Sequence, residues 1–412
     1  MDKKATAMTQ YENSILSAWI EGLVQKKALA GGLCAVYQDG RPEHRCAYGM
    51  ADLETQTPLQ ENALFRAYSL TKPMTSILAL MAIEEGKFAL HTLLSDLLPE
   101  FASLQVYDPT LPKKSPYRAV QNPPTIFHLL THTAGFSYEY YNITPVEKCY
   151  QDLILRCGNP DNTLTSLVEI LSQAPLQFEP GTHWGYGYST DILGAALERT
   201  YGISFAELMQ KKLFTPLGMK DSGFWAPPER LDRLMTLYGT QAKMTPGHFQ
   251  IFPPKSTSPN PEWICLDRAS DSILSTAPKW TSPGGGLVTT LADYQQFLDF
   301  LLARGVYKGA CLLSEGSVRQ MTTQQLWGDL ATCRLPTHPI SISKGIGFGL
   351  GLAQHLCPPH IDREIFWSGA ANTFFLLNYE KKRTALFVTQ MIPFDCYPFF
   401  QEFRDILQTL PH

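Results

Sequence analysis

The stretch FRAYSLTKPMTSILALMAIEEGK, Phe65 to Lys87, sets a serine three residues before a lysine, a proline directly after it, and then a run that is almost wholly apolar. A helix that is apolar all round is a buried one. Residues three apart share a helix face, so a helix beginning near Ser69 lays the serine oxygen beside the Lys72 amine. Pro73 supports that register. The first four amides of a helix have no internal partner, and a proline there loses no hydrogen bond. The positive end of the helix dipole favours an alkoxide at Ser69 and a neutral amine at Lys72. Burial pushes the lysine the same way. A neutral lysine beside a serine is a general base beside a nucleophile. Taken alone, the same four residues also fit a helix cap followed by a lysine that reaches for solvent, but this helix offers no obvious exposed face.

Two further constellations carry chemistry. In FEPGTHWGYGYSTDILGAALE a turn at Pro180-Gly181 leads to a helix from Asp191 onward, with Tyr186 and Tyr188 between them. A tyrosine held near a lysine can have its pKa lowered and shuttle protons; loop tyrosines also simply pack. In FWSGAANTFF, Ser368, Gly369 and the small residues after them expose strand backbone that can offer an amide to an acyl oxygen. Other motifs fall short. His128 and His132 in HLLTH lack the glutamate of HExxH and a third ligand, so no metal is expected. PGGGL, Pro283 to Leu287, has no lysine for a phosphate loop, and no GxSxG elbow occurs. No cofactor is called for.

Outward from these segments, apolar residues at Tyr11, Ile15, Trp19, Leu23 and Val24 mark an N-terminal helix. Leu33–Gln38 and His44–Gly49 flank Asp39-Gly40, a hairpin signal. Gly86 reads as a helix C-cap. Strand signals then fade, and helical patterns appear at 166–174, 191–201 and 205–213, among proline-rich loops such as TPGHFQIFPPKSTSPNPEW. Strands return in GFGLGLA, IFWSGAANTFFLLNY and RTALFVTQMI, the last two joined by the charged turn 380–383, before an amphipathic helix at 399–410. The expected architecture is α/β in the α+β sense. Residues 1–87 and 276–412 form one discontinuous α/β domain around a sheet, and 88–275 form an inserted, mainly helical domain.

With 44% hydrophobic residues, 17% charged and a net charge of −4, the chain can build a core and has no basic run for nucleic acid. Its apolar runs, such as Ile77–Ile83, are too short to span a membrane. The N-terminus reads without a signal peptide, and nine scattered cysteines with no CxxC pair suit reduced thiols in the cytoplasm.

Together these segments resemble the serine β-lactamase and penicillin-binding-protein superfamily, and most of all the family VIII carboxylesterases related to class C β-lactamases. LLTHTAGFSY is similar to the family's LLTHTSG segment and WSGAANTFF to its WGGA strand, over nearly the whole length from about Tyr11. The resemblance implies a β-lactamase/transpeptidase-like fold with an antiparallel sheet flanked by helices. It also implies Ser69 as nucleophile, Lys72 as its base partner and Tyr186, five residues after Gly181, as second base. The oxyanion hole would be the amides of Ser69 and Ala370. Trp367, Ser368, Gly369 and Tyr188 would bound the substrate, with Trp367 as a flat apolar wall. The chain departs from the pattern at Ser368 and Asn372, which replace glycines, and at Tyr188, which replaces the asparagine of lactamases. Trp367-Ser368-Gly369 stands where lactamases carry KTG, so their carboxylate-pairing lysine is missing unless Arg363 or Lys344 substitutes. The implied function is cleavage of short-chain carboxylic esters through an acyl-enzyme. An acyltransferase, a weak β-lactamase and a penicillin sensor that stalls after acylation are the alternatives.

Overall fold

The helix Thr71–Glu84 lies at the centre of the protein and is buried from Thr71 to Ala82. It ends where Gly86 adopts φ +70°, with Lys87 N–H bonding Ala82 O at 2.9 Å, a closure in which glycine takes the left-handed position without penalty. The computed structural model describes residues 15–141, 144–154, 162–240, 256–257, 263–331, 346–355, 364–394 and 396–410. Ser69 sits in a short 3-10 turn, Tyr68–Leu70, that feeds directly into this helix.

One antiparallel sheet of eight strands crosses the molecule. Its order is Ile346–Phe348, Ala353–His355, Glu364–Gly369, Thr373–Asn378, Arg383–Val388, Gly31–Gln38, Arg41–Asp52 and Thr57–Pro58. The two ends of the chain therefore meet inside it, where Leu33 pairs with Val388 and Gln38 with Arg383. Asp39 at φ +50° and Gly40 at φ +73° make the tight hairpin expected between the first two strands. Alternation along the strands gives each face its own cover. Phe374 and Phe387 pack against Trp19 and Phe403 of the terminal helices Ile15–Gln25 and Phe399–Thr409. Phe375 points the other way, onto Tyr294 of the helix Leu291–Leu302. Trp19 Nε1 donates to Glu402 at 2.8 Å and ties the terminal helices together. The chain thus has the mixed α+β architecture with an antiparallel sheet that its pattern announced.

The segment read as mainly helical also holds strands. Leu237–Thr240 and Trp263–Asp267 join Ser256–Thr257 and Met391–Ile392 in a four-stranded sheet, and Gln105–Tyr107 pairs with Tyr117–Ala119. Trp263–Asp267 is buried throughout, so it shows no alternation from which a strand could be read. Among the described residues no helix is long and apolar enough to cross a membrane.

Candidate active site

Three separated segments converge on the head of the central helix. Tyr68, before the serine, holds φ +49°, a left-handed conformation costly for a bulky residue and concentrated at functional sites. Ser69 is partly open to a cavity of about 490 Å³, whereas Lys72 is buried, at 1% exposure. Lys72 Nζ lies 3.3 Å from Ser69 Oγ, 3.0 Å from Tyr138 OH and 2.6 Å from Gly284 O. Burial lowers the Lys72 pKa to about 8, against the opposing pull of the Asp191 carboxylate. At that value roughly a tenth of the amine is neutral at pH 7. A neutral amine has two N–H bonds and one lone pair. The two shorter contacts keep the N–H bonds, and the longer one, to Ser69, is free to reverse so that the lone pair accepts the serine proton.

The tyrosine segment lies against the LLTHTAGFSY segment. Gly181 N–H bonds Thr133 O and Gly185 N–H bonds His132 O, both at 2.8 Å, and a Cβ at Gly187 would stand 2.2 Å from Phe136 O. This close approach aims Tyr186 at the site, where it lines the cavity together with Ser69. Its ring centroid is 4.8 Å from Lys72 Nζ. The structure corrects one expectation here: burial raises the Tyr186 pKa well above the ordinary value. The low dielectric around the ring disfavours the phenolate more than the Ser69 hydroxyl favours it, and the Asp191 charge adds to the rise, so the resting group is a neutral phenol. His132 is part of the support, with its ring 5.0 Å from Tyr186, and His128 caps its own helix by accepting from Thr125 N–H at 3.2 Å.

Sequence reasoning gave no catalytic role to the third segment, the glycine-rich loop 282–286, whose PGGGL run it set aside as a phosphate loop. Thr75 Oγ1 donates to Pro283 O at 2.7 Å, and Leu287 N–H to Thr71 Oγ1 at 3.1 Å. Asp191, fully buried, accepts from Ser282 Oγ at 2.6 Å and Gly284 N–H at 3.1 Å. A Cβ at Gly284 would lie 2.2 Å from Asp191 Oδ2, so only glycine fits. Asp191 thereby holds the carbonyl that orients Lys72. Tyr138, a direct partner of Lys72, also went unrecognised.

Ser368, Gly369, Ala370 and Tyr188 line the same cavity. A Cβ at Gly369 would meet Ala67 O at 2.4 Å, which shows how closely the strand Glu364–Gly369 passes the turn that carries Ser69. Trp367 does not line the cavity. Strand alternation turns it to the far side, 1% exposed, with its ring 6.2 Å from His132 and 5.9 Å from Tyr186. It braces Tyr186 from behind rather than forming a substrate wall. Asn372 takes a glycine-like φ of +55°, and its amide donates to Met391 O at 2.7 Å and Pro393 O at 3.0 Å. Lys344 and Arg363 lie outside the described residues. Among the described residues lining the cavity, Lys72 is the sole cation.

A family model described as Beta-lactamase matches residues 16–392. Protein Rv1367c of Mycobacterium tuberculosis is 28% identical over 346 residues, covering 84% of this chain and 80% of that protein. Esterase EstB of Burkholderia gladioli is 34% identical over 218 residues, 52% of each chain. Among solved structures, EstCE1, described as a hydrolase with promiscuous acyltransferase activity, superposes with a TM-score of 0.76 at 23% identity over 95% of this chain and 97% of its own. With a family model spanning most of its length and an esterase among its relatives, the chain belongs to the β-lactamase family.

Proposed function

We propose that the chain is a serine hydrolase that cleaves short-chain carboxylic esters through an acyl-enzyme on Ser69. The observation that carries this is the buried Lys72 amine, 3.3 Å from Ser69 Oγ at the floor of an open, aromatic cavity. The esterase relative EstB and the hydrolase EstCE1 support the same reading. Neutral Lys72 takes the Ser69 proton as Oγ bonds to the ester carbonyl carbon, and the Tyr186 phenol relays that proton within the pair. The amides of Ser69 and Ala370 receive the oxyanion, an interaction whose loss typically costs about 10²–10³ in rate. The carbonyl carbon–oxygen bond to the alcohol then breaks, and the alkoxide leaves with the proton returned from Lys72. Water, activated by the same amine, releases the acid. Transfer of the acyl group to a second alcohol is the alternative, favoured by the dual description of EstCE1. Six free cysteines among the described residues suit a cytoplasmic setting.

The residues argue for esters over penicillins. Trp367 stands where lactamases place a lysine, and no cation besides Lys72 lines the cavity among the described residues. A hydrogen bond to a charged group is worth about 1.5–3 kcal/mol, so lactam turnover should be weaker by roughly one to two orders of magnitude. The test is kcat/KM for an aryl acetate or butyrate against a chromogenic cephalosporin, each corrected for spontaneous hydrolysis. A cephalosporin value at or above the ester value would move the chain among the lactamases.

A further inference from the structure

One wall of the cavity touches the proton chemistry only through Tyr138, which accepts from Lys72. Glu139 lines it, with Oε2 accepting from Tyr188 OH at 2.7 Å. Tyr138, Tyr140, Tyr141 and Tyr188 line it beside that carboxylate. Tyr138 and Tyr188 meet edge to face at 4.7 Å, as do Tyr140 and Tyr141, while Tyr138 and Tyr140 stack at 5.1 Å. The result is a rigid aromatic surface around one acid. No cation among the described residues balances Glu139. The charged neighbour that acts on it is Asp191, another acid, and Lys72 is committed to Ser69, Tyr138 and Gly284. Burial raises the Glu139 pKa, the sign of a carboxylate without a counter-charge. The hydrogen bond from Tyr188 favours the ionised form but supplies no charge.

A carboxylate set among aromatic rings attracts a positive charge that also carries apolar surface. The negative face of each ring adds a factor of roughly two to thirty for a cation it contacts, and both groups act against an anion. We propose that the cavity selects esters carrying an alkylammonium group, seated against the Glu139 carboxylate and the surrounding tyrosine rings. This rests on the ester-cleaving reading of Ser69, so binding and turnover are tested separately.

The probes are isosteric pairs that differ in charge alone: choline against 3,3-dimethylbutan-1-ol for binding by calorimetry, and acetylcholine against 3,3-dimethylbutyl acetate for turnover. Choline should bind the wild-type chain about tenfold more tightly than the neutral alcohol, equivalent to ~1.4 kcal/mol, and the ester kcat/KM ratio should follow. Glu139→Gln keeps an acceptor for Tyr188 and should collapse the choline preference to within about threefold. Tyr140→Leu should reduce it in part, and circular dichroism identifies any variant that fails to fold. Equal or weaker binding of choline than of the neutral alcohol, or a preference unchanged by Glu139→Gln, overturns the proposal. A preference in binding with no turnover of either ester leaves the cation seat standing and removes the esterase reading. Turnover of both esters at equal kcat/KM, with no preference in binding, does the reverse.

Discussion

If Lys72 is the base, the pH dependence of ester cleavage is set by a lysine brought down to about 8 by burial. Only the neutral amine can accept the Ser69 proton, so activity is lost as pH falls through that value. The neutral fraction is about 1% at pH 6, 10% at pH 7 and 90% at pH 9. With an uncharged aryl butyrate, kcat/KM should therefore climb nearly tenfold per unit below pH 7, bend near 8 and flatten above, a rise of roughly 90-fold from pH 6 to pH 9. The profile would be followed by release of the aryl alcohol, with the spontaneous rate subtracted at each pH. Asp191→Asn provides the internal control. Ser282 Oγ and Gly284 N–H both donate to Oδ1 of Asp191, which an asparagine can reproduce, so the loop can stay in place. The lost negative charge had been holding the Lys72 pKa up, and the bend should move to lower pH. A bend at the ordinary imidazole value of about 6.5 would implicate a histidine instead. A flat profile, or an upward move in Asp191→Asn, would refute the assignment of Lys72 as base.

Tyr186→Phe should lose about 10²–10⁴ in kcat, and Tyr188→Phe, which removes a hydrogen bond to Glu139, should stay within about tenfold on a neutral ester; the reverse order would place the wrong tyrosine at Ser69. Lys72→Met should abolish activity yet stabilise the fold. The fall from 10.5 to about 8 corresponds to ~3 kcal/mol at ~1.4 kcal/mol per tenfold step, a cost borne in full below pH 8 and gone above pH 10.5. After loss of the lysine's hydrogen bonds, a net gain of about 1–2 kcal/mol in urea unfolding at pH 7 is expected, and a large loss would show the lysine to be a structural member of the core.

The Ser69–Lys72 pairing was legible because it is local: three residues on one helix start fix the contact whatever the rest of the chain does. The hairpin at Asp39-Gly40, the terminal helices and the strands that border the charged turn were legible for the same reason, their patterns being short-range. Tyr138 and Asp191 lie inside the segments LLTHTAGFSY and FEPGTHWGYGYSTDILGAALE, with Glu139 directly after the first, but the partners that give them their places come from chain segments far away, which the local pattern does not show. Gly284 was visible as part of a glycine run, but its cause, the carboxylate of Asp191 pressed against it, lies 93 residues away. Trp367 had a usable signal that was overlooked. Ser368 borders the cavity, and in the strand Glu364–Gly369 a period of two turns its neighbour Trp367 to the opposite face. A tyrosine near a lysine can have its pKa lowered, but the depth at which Tyr186 is buried, invisible in the sequence, raises it instead.

Covalent capture tests the central claim most directly. Intact-protein mass spectrometry after brief exposure to an aryl butyrate near pH 8 and a rapid acid quench, followed by peptide mapping, should show one butyryl group per chain, carried by Ser69 and absent from Ser69→Ala. An adduct on any other residue, or undiminished ester turnover by Ser69→Ala, would contradict the assignment of Ser69 as the nucleophile.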